Sequence, residues 1–293
     1  MTIGRVRIGI TLPKIIVAVD FSTASPCVLA HAASIARRYK SRLYVTHIIP
    51  ADLYKTVPPE AIEEAVKKTS AEIQAQMANM LRLDCLLQTD HEAVIQQGPV
   101  APTLLRLAAE RKADLLVLGT RGHYGLDRLL QGSVAEEVFR MAPCPVLIVP
   151  PSATEDTPAV HNILYPTSFS KNSLRAAPYA FSLARRHRAR LILLHVLPES
   201  VIHNSDDLDH AREPVEKHLR DLVPARGGPS RKPVVCVEFG AVADRVVRAS
   251  LEYQADLIVL GITTAGAAVA HLDEGITYRI VRAVSCPVLT IRN

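Results

Sequence analysis

The residues best suited to chemistry lie in the stretch LGTRGHYGLDRLLQGSVAEEV at 118–138. It carries glycines at 119, 122 and 125 and then the pair Gly132-Ser133. Gly119 and Gly122 can take positive φ and let backbone N–H groups approach an anion with no Cβ in the way. Gly132-Ser133 opens a helix, whose unpaired N–H groups and dipole attract negative charge. Ser133 offers its hydroxyl to the anion or to the helix cap. Arg121, His123 and Arg128 add positive charge, or serve as solvated loop residues. The chemistry indicated is phosphate binding, although a turn-forming loop would also use such glycines. The stretch is neither a P-loop, since no Gly-Lys-Ser/Thr occurs in the chain, nor a GxGxxG turn. The second apolar run ends near His47, not at an acid that could hold a ribose.

Other candidates are weaker. The histidines are scattered, and HNSDDLDH at 203–210 reads as a hydrophilic stretch entering a helix more readily than as a metal site. His47 and His195 fall at matching strand ends, which favours a role in the fold. Ser22 and Ser170 follow the first strand of their halves and are expected to cap helices. Neither a Ser-His-Asp nor a Cys-His arrangement is legible. The five cysteines have no disulfide or zinc spacing, and Cys144 and Cys286, both in CPV, read as small buried residues starting edge strands.

The elements that must position the loop repeat along the chain. KIIVAVDFSTASPCVLAHAASIARRYKSRLYVTHII (14–49) aligns without a gap on NILYPTSFSKNSLRAAPYAFSLARRHRARLILLHVL (162–197). Phe21 meets Phe169, Ser22 meets Ser170, and His47 meets His195. ADLLVLG (113–119) meets ADLIVLG (255–261), and CPVLIV meets CPVLTI. A period of about 145 residues is a whole domain, too long for a solenoid unit. The expected organisation is a first domain at 1–150, an exposed linker at 151–161 rich in Pro, Thr and acid, and a second domain at 162–293. In the first copy, strands are expected at 15–20, 42–49, 92–97, 114–119 and 145–149, with helices at 25–38, 58–81, 101–111 and 133–141. That βαβαβαβαβ alternation specifies an α/β fold, a doubly wound five-stranded parallel sheet with helices on both faces. If the strand order is 3-2-1-4-5, it reverses between the first and fourth strands, where ligands bind at the carboxyl ends. Asp20 ends the first strand and Gly119 the fourth, so both would face one crevice.

The pattern Gly119-x2-Gly122-x9-Gly132-Ser133, followed by a helix and CPVLIV, resembles the universal stress protein family. KIIVAVDFS and ADLLVLGTRGHYGL are similar to that family's first strand and to its fourth strand and loop, and the resemblance covers both copies. It implies a Rossmann-like, adenine nucleotide alpha hydrolase-like fold and an ATP site, with Mg, in the first domain. Ala18, Asp20 and Ile48 would face adenine and ribose. Gly119, Gly122, Gly132, Ser133 and Val134 would face the phosphates. Two departures are Ala18, where the family often has proline, and GTRGHYG in place of the common GSHGRTG. Neither removes a backbone donor. In the second copy Asp20 becomes Ser168, Gly122 becomes Thr264, Gly132 becomes Glu274 and Ser133 becomes Gly275; only Gly119 survives, as Gly261. The second copy is therefore expected to be a scaffold. The family also dimerises through its last strands, so the two CPV strands of this chain would pair as an intrachain pseudo-dimer, with a further homodimer left open.

Bulk properties exclude several classes. Hydrophobic residues are 48% and charged residues 22%, the balance of a globular protein. Aromatics are 4% with no Trp, which argues against a base-stacking nucleic-acid platform. The net charge of +5 is spread without a basic block. No membrane span is legible, and MTIGRVRIGITLPK lacks the apolar centre of a secretory signal, so a cytoplasmic protein is expected. The expected function is an ATP-binding stress-response module with possible protein partners. The alternatives are a slow ATP hydrolase or self-phosphorylating protein, with Ser133 or Thr120 as acceptors, and a nucleotide-free interaction scaffold. No residue stands out as the base that would orient water, which favours binding over turnover.

Overall fold

The structure is a computed structural model that describes residues 9–120, 134–151, 153, 159–201, 205–262 and 275–292. The chain forms two compact units, one of Leu12–Pro158 and one of residues 159–293 together with residues 9–11.

The first unit runs β1 (Lys14–Ala18), α1 (Ser25–Tyr39), β2 (Arg42–Pro50), α2 (Ile62–Leu81), β3 (His91–Gly98), α3 (Val100–Arg111), β4 (Leu115–Gly119), α4 (Val134–Met141) and β5 (Val146–Val149). All pairings are parallel, in the order β3-β2-β1-β4-β5. Its central strands are apolar on both sides because helices cover both faces. Ile15, Ile16, Val17, Leu116 and Val117 are wholly buried.

The second unit repeats the plan with β6 (Asn162–Pro166), α5 (Lys171–His187), β7 (Arg190–Leu197), α6 (Ser205–Asp221), β8 (Val234–Phe239), α7 (Val242–Glu252), β9 (Leu257–Gly261), α8 (Ile276–Ala283) and β10 (Val288–Ile291). Its order is β8-β7-β6-β9-β10, again parallel. The expected alternation and strand order thus hold in each unit. The copies agree even in unusual backbone. Lys40 and Arg188 take left-handed φ of 55° and 54° at the ends of α1 and α5, and Lys112 and Gln254 take 51° and 48°.

One helix start differs from expectation. Pro58 is extended, as a residue before proline tends to be, and Pro59–Ala61 form a 3₁₀ turn, so α2 begins only at Ile62. The stretch at 203–210 does enter a helix, since α6 begins at Ser205. Cys144 and Cys286 are buried, and burial pushes both thiols up to about 12, which leaves them inert at neutral pH. Among the described residues no helix is long and apolar enough to cross a membrane.

His31, in the middle of α1, is buried, and its Nε2 has no hydrogen-bond partner among the described residues. Burial lowers its pKa from 6.5 to about 4. The fold therefore holds the neutral ring, and the unfolded chain binds more protons between those two values. That contribution is fully present above pH 6.5 and is lost as pH falls toward 4, up to about 3 kcal/mol. Urea unfolding at pH 7 and pH 5 should show about 2 kcal/mol of this loss in the wild type. His31→Leu should be that much less pH-sensitive. Equal pH dependence in the two proteins would contradict the assignment.

Candidate functional site

In the first unit β1 lies between β2 and β4, so the strand order reverses at β1 and β4. The registers set what meets at the carboxyl end. Ala18 pairs with Thr46 and Val17 with Val117. β1 ends at Ala18, so Asp20, expected to end the first strand, stands two residues beyond it. The Val19 N–H donates to the Thr46 carbonyl at 2.9 Å, and the Thr120 N–H to that of Val149 at 3.2 Å, so both flanks are anchored to neighbouring strands. Asp20, Ile48 and Gly119 thus share one end of the sheet although about 100 residues separate Asp20 from Gly119 in sequence. Ala18 is half-buried, Ile48 is buried, and Val134, the first residue of α4, is 39% exposed. Gly122, Gly132 and Ser133 lie outside the described residues, as do Arg121, His123 and Arg128.

The turn after β1 is tightly specified. Phe21 takes a left-handed φ of 59°, uncommon for a bulky residue. Its ring stacks on His47 at 4.3 Å between centroids, and His47 Nδ1–H donates to the Val19 carbonyl at 2.9 Å. Burial lowers the His47 pKa, opposed by that hydrogen bond and by the charge of Asp20. The second unit reproduces this with Phe169 at φ 58°, stacked on His195 at 4.8 Å, and His195 Nδ1–H bonded to Thr167 O at 2.7 Å. Both histidines therefore serve the turn, the fold role their matching positions suggested.

The two turns differ in what holds them. Ser22 was expected to cap α1, but α1 has no side-chain cap. Asp20 takes Ser22 instead: Ser22 Oγ donates to Asp20 Oδ1 at 2.6 Å and the Ser22 N–H donates to the same oxygen at 3.0 Å. Ser25, which the sequence reading missed, donates its hydroxyl to Oδ1 at 2.8 Å and accepts the Asp20 N–H at 3.2 Å. Its only sequence signal is that the repeat places Ser173 at the matching position. In the second unit, Ser170 does cap α5, accepting from the Ser173 N–H at 3.3 Å. A carboxylate is the stronger acceptor and turns the first serine into a donor; Ser168 leaves the second available as a cap.

Gly119 was read as a glycine able to take positive φ, with Gly261 as its surviving counterpart in the second copy. Both are instead the last, strand-like residues of β4 and β9. What Gly261 needs is space. A Cβ there would lie 2.0 Å from the Asn172 carbonyl oxygen and 2.6 Å from Ser173 Cα, both in the backbone opening α5. Thr264 and Glu274 lie outside the described residues. Gly275 is the N-cap of α8, and a Cβ there would meet open space.

The fold and this paired geometry agree with what the chain matches. The description "Universal stress protein family" matches residues 11–150 and again 159–292. The chain belongs to the universal stress protein family. A universal stress protein of Methanocaldococcus jannaschii is 32% identical over 141 residues, covering 46% of this chain and 81% of that one. A universal stress protein of Mycobacterium tuberculosis is 28% identical over 289 residues, covering 95% of this chain and 96% of the other. A universal stress protein of Archaeoglobus fulgidus shares the fold along the chain, with a TM-score of 0.70 at 17% identity, covering 97% and 99% of the two. This chain is thus a tandem member. Its two family domains share one turn geometry and differ in whether a carboxylate stands in the turn after the first strand.

Proposed function

We propose that the protein is a cytoplasmic stress-response module that binds one adenine nucleotide, Mg-ATP, in the crevice of its first unit. What supports this is the pairing of β1 with β4 at the strand-order reversal, with Asp20 and Gly119 at their carboxyl ends, in the unit that keeps the full Gly119-x2-Gly122-x9-Gly132-Ser133 spacing. Ala18, Asp20 and Ile48 would hold the nucleoside. Gly119, Gly122, Gly132, Ser133 and Val134 would offer backbone N–H groups and a hydroxyl to the phosphates. The fit is chemical: an acceptor-only carboxylate suits sugar hydroxyls, and small residues leave backbone donors uncovered. The second unit has Ser168 and Glu274 at the corresponding positions and serves as scaffold. Nucleotide occupancy then alters what the protein contacts, and the role is binding rather than turnover.

The test is calorimetric titration of Mg-ATP into the wild type and Gly132→Glu, which copies the second unit's own residue. Two unit charges about 4 Å apart near a surface repel by roughly 4 kcal/mol. A micromolar ligand has only about 8 kcal/mol in all. The variant should bind at least about a hundredfold more weakly. Equal binding by both proteins would remove the glycine loop from the site.

A further inference from the structure

At the amino end of its sheet the second unit gathers cations that look dispersed along the sequence. Arg185 lies in the last turn of α5, Arg188 is the left-handed residue that ends that helix, and Arg190 opens β7. β8 runs parallel to β7 with Val234 level with Ile192, so Arg231 and Lys232, just before β8, stand at the same end of the neighbouring strand. All five side chains are exposed, and among the described residues none of them has an ion-pair partner. Asp221, Glu252 and Asp256 also stand at this end, but Asp256 is taken by the N–H groups of His161 and Asn162, at 2.7 and 2.8 Å.

The first unit carries matching cations and engages two of them. Arg37, Lys40 and Arg42 align with Arg185, Arg188 and Arg190. Arg37 donates to the Cys85 carbonyl, and Arg42 pairs with Glu92 at 2.8 Å. Arg111 reaches the same carboxylate at 3.3 Å and lies over the Tyr44 ring. Glu92 is level with Tyr44; at the matching place in the second unit Val234 is level with Ile192. The carboxylate that pairs these arginines in the first unit is thus a valine in the second.

We infer that the basic amino end of the second unit docks on the phosphate backbone of a duplex nucleic acid without reading its bases. Five uncompensated cations call for an anionic partner. A protein partner would need an apolar centre to its interface, and a membrane an apolar side chain to insert. The exposed large apolar residues described in the second unit, Val242, Leu251 and Ile276, lie on α7 and α8, not on α5, β7 or the turn before β8. A single strand would need aromatic rings for stacking, and only 4% of the chain is aromatic. A duplex needs neither. It presents one negative charge about every 1.7 Å of its axis, and release of its counterions drives binding. Four of the five cations are arginines, whose planar fork matches phosphate oxygens. The crevice of the first unit takes no part, so this docking stands apart from the nucleotide reading.

The experiment is fluorescence anisotropy of a short, end-labelled DNA duplex of mixed sequence, titrated with the full chain in the absence of ATP at several salt concentrations. Five phosphate contacts give a slope of log K against log salt of roughly −4.5, or about a twentyfold loss of affinity per doubling of salt. Arg185→Gln/Arg190→Gln and Arg231→Gln/Lys232→Gln should each bind at least about tenfold more weakly at low salt and flatten the slope by about 2. Arg42→Gln, which removes an arginine already paired in the first unit, should bind as the wild type does. Duplexes of unrelated sequence should bind alike. The substituted side chains are all exposed, and thermal melts check that each variant folds. Absence of binding at low salt would overturn the proposal, as would wild-type affinity and slope in both double variants. A marked preference for one sequence would overturn docking on the backbone alone. Tighter binding to poly-glutamate or to phosphatidylserine vesicles, lost in the same variants, would overturn it in favour of an acidic protein or a membrane.

Discussion

Asp20→Ser is expected to cost more than a hundredfold in ATP affinity while leaving the first unit folded. The variant copies Ser168, and the second unit shows that a serine there can join a hydroxyl network with the serines two and five residues on. What it cannot restore is a fixed negative acceptor. The structural loss includes the three charge-assisted hydrogen bonds to Oδ1, partly replaced by neutral ones, or about 1–2 kcal/mol of stability. The functional loss is the carboxylate assigned to the sugar, with the donors on the ribose left unpaired. Calorimetry and urea unfolding on the same preparation separate the two effects. Wild-type affinity in the variant would remove Asp20 from the site. Collapse of the first unit would mean that its turn, unlike the second, depends on the carboxylate.

The second large effect concerns a glycine in the unit proposed to serve as scaffold. Gly261→Ala should destabilise the second unit by about 3 kcal/mol or more, with no loss of ATP affinity. The added Cβ would sit 2.0 Å from the Asn172 carbonyl oxygen, and the nearest atoms are all backbone opening α5. Neither strand nor helix can yield without shifting a hydrogen-bonded element. Gly240 is a useful contrast. Its Cβ would meet the Arg245 side chain at 2.8 Å, and a flexible side chain gives way more cheaply, although φ of 132° strains any substitution there. The expected readout is a lower urea midpoint for Gly261→Ala. A midpoint equal to the wild type would mean that helix and strand relax around the methyl group. The result bears on the first unit too. If packing alone explains why Gly261 persists without its neighbouring motif, then Gly119 is also a packing residue, and the weight of the phosphate argument falls on Gly122, Gly132 and Ser133.

That point marks the limit of the sequence. The strands were legible because a parallel sheet covered on both faces needs unbroken apolar runs, and KIIVA and LLVLG are such runs. The strand order, taken as a condition rather than derived from the residues, holds in both units. The start of α2 was misplaced because two prolines permit either a helix start or a tighter turn. Gly119 was read for positive φ, yet it is the last, strand-like residue of β4, and sequence alone does not separate a glycine that ends a strand from one that turns the chain. Ser22 was misread because its hydroxyl had two futures, cap or donor, and the choice depends on a carboxylate two residues earlier. Ser25 was missed because its bond to Asp20 spans a turn that no periodicity predicts. Phe21 and His47 were visible only as matches between the copies, and their stacking came from the fold.

The central claim is that one of the two units binds nucleotide, and stoichiometry tests it most directly. Mg-ATP should be titrated by calorimetry into the wild-type chain at a protein concentration well above Kd, with the number of sites left free in the fit. The account predicts one ATP per chain. Two per chain would show that a unit with serine in place of Asp20 still binds, and none would reduce the glycine loop to architecture.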